Sequence, residues 1–62
     1  MDYKTLIKEF RNKMLLTQEE FAKFLGVSIA SVARWETGVN EPTMKVKRKL
    51  NELFIKFKVS EE

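Results

Sequence analysis

The stretch TQEEFAKFLGVSIASVARWETG, Thr17 to Gly38, constrains the fold more than any other part of the chain. Thr17 heads a T-x-x-E pattern with Glu20. In that pattern the threonine hydroxyl accepts from the backbone amide three residues on, and the glutamate reaches back to the threonine's own amide, so a helix starts there. Leu16 and Phe21 flank the cap at the spacing of a hydrophobic staple, which fixes the entry angle. Gly26 is the residue best able to take the left-handed conformation that ends a helix. Ser28 is then the next N-cap, with Val27 and Val32 as a second staple. That further helix spans about 28–37 and stops at Gly38. Two helices joined by so short a turn must meet at a sharp angle.

The rest of the chain reads as helix on either side of this unit. Tyr3, Leu6, Ile7, Phe10 and Met14 recur at three- and four-residue steps, predicting a first helix over residues 2–13. Past Gly38 the chain passes through Val39, Asn40, Glu41 and Pro42, and Thr43 is placed to cap a last helix, MKVKRKLNELFIKFKV. That helix puts Val46, Leu50, Leu53, Phe54 and Phe57 on one face and Lys45, Lys47, Arg48 and Lys49 around the rest. There is no strand pattern, internal repeat or low-complexity tract, so residues 1–62 read as one all-α domain.

Composition narrows the function classes. The absence of cysteine and histidine from the 62 residues removes disulfides, thiolate nucleophiles and the commonest zinc ligands, so no metal and no cofactor is expected. Glu19 and Glu20 are adjacent on a helix and cannot converge, and Ser28 and Ser31 have no histidine to activate them, which argues against an enzyme and against a small-molecule substrate. No apolar run approaches a membrane span and the N-terminus lacks the apolar core of a signal peptide, so a cytoplasmic protein with no membrane partner is expected. Twelve Lys and Arg against nine Asp and Glu give a net charge of +3, in keeping with a nucleic-acid binder but weak as evidence by itself.

Two short helices with a tight glycine turn make a helix-turn-helix, which places its second helix in the major groove of DNA. The segments TQEEFAKFLGVS, VARWETG and EPT resemble the Cro and phage-repressor type of helix-turn-helix domain, the XRE family, over Leu6 to about Leu53. The resemblance implies a lambda-repressor-like bundle of four or five helices. It implies that Thr17 and Gln18, at the start of the second helix, are DNA-binding residues, Gln18 on a phosphate or a base. It also implies that Ser28, Ile29, Ala30, Ala33 and Arg34 face the groove, that Asn40 and Thr43 contact the DNA backbone, and that Arg11 and Glu36 form a structural salt bridge. Many members carry polar residues where this chain has Ile29, Ala30 and Ala33, and the segment after Pro42 is more basic and continuous than the usual two closing helices.

Helical geometry agrees with that assignment of faces. Val32 and Trp35 lie on one side of the third helix and Ile29, Ala30, Ala33, Arg34 and Thr37 on the other. Such a face is small and nearly flat with one long cation, fit to press against base edges, touch thymine methyls and leave Arg34 to grip guanine or a phosphate. A surface arginine is ordinarily just a solvated charge; the motif around Arg34 favours the DNA contact. Lys45, nearest the loop, is the member of the basic cluster expected on a phosphate, and Trp35 is expected in the core. Phe54, Ile55, Phe57 and Val59 exceed what one helical face can bury, which suggests a homodimer seam. Two rivals remain: a protein-interaction module using the apolar third helix, and a membrane-surface helix that would turn Leu50, Leu53 and Phe54 toward lipid.

Overall fold

Each helix begins on a polar residue in extended backbone, and the caps set the element boundaries. The computed structural model describes residues 2–59, with α1 at Tyr3–Lys13, α2 at Gln18–Leu25, α3 at Ile29–Thr37 and α4 at Met44–Lys56. No strand occurs among the described residues, and the fold is the all-α helix-turn-helix bundle expected, with four helices. Asp2 caps α1 by accepting from the Thr5 amide and, at 2.7 Å, from the Thr5 hydroxyl, so the helix proper starts at Tyr3, one residue later than the expected range of 2–13. At α2 both halves of the capping box form: the Glu20 amide donates to Thr17 Oγ1 at 3.1 Å and the Thr17 amide to Glu20 Oε1 at 2.9 Å. Ser28 Oγ accepts from the Ser31 amide at the start of α3. Thr43 departs from expectation. It stands at the N-cap of α4 with nearly the backbone angles of Thr17, but its hydroxyl makes no cap bond, so only its carbonyl contributes, to the Lys47 amide at 2.8 Å.

The helix ends share one device. An amide bonds the carbonyl five residues earlier across a left-handed residue, the Schellman arrangement: Val27 to Ala22 across Gly26, and Val39 to Arg34 across Gly38. The same bond runs from Leu16 to Arg11 across Leu15 and from Val59 to Phe54 across Lys58, both non-glycine residues at φ 57°. This second stop ends α4 at Lys56, three residues short of the Val59 expected from its sequence.

The core forms where the four apolar faces meet. Leu6, Ile7 and Phe10 of α1, Phe21, Ala22 and Leu25 of α2, Val32 and Trp35 of α3, and Leu50 and Phe54 of α4 are all buried. Phe10 is the hub, with the rings of Phe21, Phe54 and Phe57 between 5.6 and 6.2 Å from its own. That hub removes most of the expected dimer seam: Phe54 is 3% exposed, Phe57 and Val59 pack against the core, and Ile55 alone of the four points outward at 80%. It also places Leu50 and Phe54 inside the bundle, so α4 cannot offer them to lipid. Trp35 is in the core as expected. Ala22, 3% exposed, is small enough to let α2 and α3 cross closely.

Leu15 is 89% exposed, so its side chain contributes little burial to offset the left-handed strain of about 1–2 kcal/mol. Leu15→Gly should raise stability by about 0.5–1 kcal/mol, the relieved strain outweighing the extra entropy of glycine in the unfolded chain. A higher urea midpoint at unchanged m-value is the expected result.

Candidate nucleic-acid interface

Helix α3 divides into a buried and an open side. Val32, Trp35 and Glu36 are 0%, 7% and 3% exposed, whereas Ile29, Ala30, Arg34 and Thr37 are open to solvent and Ala33 is half-buried. A buried glutamate is costly unless its oxygens are satisfied. Glu36 is held by a bidentate pair with Arg11, whose Nε donates to Oε2 at 2.7 Å and Nη2 to Oε1 at 2.9 Å. Arg11 Nη1 also donates to the Leu16 carbonyl at 3.0 Å, just ahead of the α2 cap. The Gln18 side chain completes the cluster, Nε2 donating to Glu36 Oε1 at 3.1 Å. Burial pushes the Glu36 carboxyl up, but the hydrogen bonds from Arg11 and Gln18 outweigh it and leave the group below its ordinary range. The bond to Glu36 raises the Arg11 guanidinium in turn, keeping it cationic.

The expected contact residues fall into three places. Ser28, Ile29, Ala30 and Arg34 lie along the open side of α3, with Thr37 at its end donating back to the Ala33 and Arg34 carbonyls. Arg34, Asn40 and Thr43 come together in a second place, lining a cleft of about 320 Å³ between α3 and the loop that leads to α4. Lys45, exposed on α4, is not among the residues lining that cleft. Thr17 and Gln18 form the third place, the α2 N-terminus. There the hydroxyl of Thr17 is used in the capping box and the amide nitrogen of Gln18 is directed at Glu36.

Two cleft residues carry no signal that the sequence motifs single out. Ser31 lines the cleft one turn before Arg34, a placement its i, i+3 spacing could have revealed. Glu41 also lines it, paired with Lys47 at 2.7 Å, and no local pattern joins those two.

A bundle whose second and third helices are locked by a glycine turn, with the third helix open along one side, is a helix-turn-helix domain. A helix-turn-helix family model matches residues 7–55, and the chain belongs to that family, in agreement with its Cro and phage-repressor resemblance. A relative from Archaeoglobus fulgidus, described as an uncharacterized HTH-type transcriptional regulator, is 41% identical over 51 residues, covering 82% of this chain and 72% of its own length. No solved structure matches the chain. Among the described residues no helix is long and apolar enough to cross a membrane, and no group of acidic residues is placed to hold a metal ion.

Glu36→Gln should cost about 2–4 kcal/mol, because it leaves the partly buried Arg11 charge without its counter-ion. The linkage has a definite sign. A carboxyl whose folded pKa lies below its ordinary 4.5 stabilises the fold fully above that value, and the contribution is lost as pH falls through the folded pKa. Urea titrations should therefore show the gap between E36Q and the unsubstituted protein widest near neutral pH and closing steadily below pH 4.5.

Proposed function

We propose that this chain is a sequence-specific, double-stranded DNA-binding transcriptional regulator of the cytoplasm. It inserts α3 into the major groove, with two copies on a symmetric operator. The observation that carries the reading is the division of α3: a polar lock and two core side chains hold one side, leaving Ile29, Ala30 and Arg34 along the other. Apart from Arg34 these side chains are small, so the helix backbone can approach the base edges, where a thymine methyl offers apolar contact to Ile29 and guanine offers two acceptors to Arg34. Asn40 and Thr43, sharing a cleft with Arg34, suit the flanking phosphates and set register without reading sequence. Lys45 adds a phosphate contact from α4. At the α2 N-terminus the free amides and the positive end of the helix dipole suit another phosphate. Gln18 supports that site from the side, since its amide nitrogen is committed to Glu36. The name of the archaeal relative, an HTH-type transcriptional regulator, supports the same reading.

Sites selected from a random duplex pool, followed by binding titrations, provide the test. Arg34→Ala should weaken binding by about 1–3 kcal/mol and relax preference at one base position, the signature of a lost bidentate base contact. Lys45→Ala should instead weaken all sequences alike and make the slope of log K against log salt shallower by about 1. Ile29→Ala should act mainly on sites with a thymine beneath that residue. Replacing the thymine by uracil should reproduce the loss without adding to it, since both changes remove one methyl contact. If R34A and I29A both leave duplex binding intact, α3 is outside the groove, and its apolar side serves a protein partner instead.

A further inference from the structure

The cleft beside α3 has a feature at odds with a polyanionic ligand. Glu41 lines it together with Arg34, Asn40 and Thr43, and its side chain is 66% exposed. An open carboxylate there would face the phosphates expected on those neighbours. It is not left alone: Lys47 Nζ, on the first turn of α4, donates to Glu41 Oε1 at 2.7 Å. The same Nζ lies 5.1 Å above the Tyr3 ring, whose hydroxyl donates to Asn51 at 3.3 Å, so the lysine is placed from α1 as well as from α4. Lys47 is only 24% exposed, far less open than its partner, and does not itself line the cleft.

We propose that Lys47 is a positioning residue for DNA binding: it does not touch the duplex, but neutralises Glu41 so that the loop from Gly38 to Thr43 can approach phosphates. The inference rests on the DNA reading above. Bonding to Lys47 holds the Glu41 carboxyl below its ordinary range, so the pair stays ionised and its charges cancel near neutral pH. The same geometry explains why a lysine at this position differs in role from Lys45. One cation is committed within the protein and the other is open to solvent.

A double-mutant cycle separates this role from a direct phosphate contact. Anisotropy titrations on a duplex recovered by selection would compare the unsubstituted protein with K47M, E41Q, the double variant and K47R, with thermal melts used to refer affinity to the folded fraction. K47M should weaken binding about fivefold, the scale of one unmasked unit charge roughly 4 Å from a phosphate in water. E41Q alone should change affinity less than about twofold, while E41Q added to K47M should recover the loss, and K47R should keep affinity by keeping the pair. Additive effects, an unchanged K47M, or a K47M loss that persists in the E41Q background with a shallower salt slope would each overturn the proposal. No duplex binding by the unsubstituted protein overturns the DNA reading and this inference together, whereas binding with an additive cycle overturns this inference alone.

Discussion

The orientation of α3 depends on a carboxylate that the fold has taken almost entirely out of solvent. Glu36 sits in a bundle whose principal extents are only 26 × 22 × 19 Å, with almost no exposed surface of its own. Its charge is tolerated because Arg11 meets both oxygens in the fork geometry that guanidinium and carboxylate share, and Gln18 supplies a further donor. Apolar contacts such as those of Val32 and Trp35 are non-directional and would accept some rotation of α3. A bidentate pair accepts little. Since each residue is about 100° around a helix, holding Glu36 inward turns Ala30 and Arg34 outward. The same arginine also bonds the Leu16 carbonyl, so the entry to α2 is tied to the cluster that orients α3.

Around that lock, a chain of this size has little apolar surface to spare. A domain near 60 residues buries only about 60% of the surface its unfolded chain exposes, and caps and turns matter correspondingly more. Here Asp2, Thr17 and Ser28 satisfy helix starts with side-chain oxygens, and all four helix ends close with the same five-residue bond. Phe10 draws aromatic rings from α2, α4 and the residue following α4 onto one centre. On the open side of α3, Ile29, nearly half exposed, is the main apolar group.

Much of this architecture is local in origin and therefore legible in the amino-acid sequence. The T-x-x-E box at Thr17, the cap at Ser28 and the stops at Gly26 and Gly38 each involve groups within a few residues, and the apolar spacing of α1 marks its buried face. The division of α3 follows from helical periodicity in the same way, and the Arg11–Glu36 pair follows from family resemblance. Other features differ from the sequence expectation because a local signal has a non-local competitor. Val59 sits inside an unbroken run of helix-forming residues, but the left-handed turn at Lys58 ends the helix and folds Val59 back onto the core. Phe54 and Phe57 count as surplus on a single helical face; burial becomes available to them only when Phe10 comes across from α1. The Thr43 hydroxyl makes no cap bond although its backbone nearly matches that of Thr17, a difference that backbone propensity does not specify.

The sequence by itself thus determined where helices start, which side of each is apolar and that two of them meet at a tight turn, because those properties arise from interactions a few residues apart. Only the tertiary structure decided which polar side chains are free to meet a ligand. Gln18 lies 18 residues from Glu36, and Lys47, bonded to Glu41, comes over the ring of Tyr3 from the far end of the chain. Such pairings depend on how separate helices dock. Charge and hydrogen-bonding capacity can be read from a residue's identity, but whether a partner inside the fold has already used them is settled by packing.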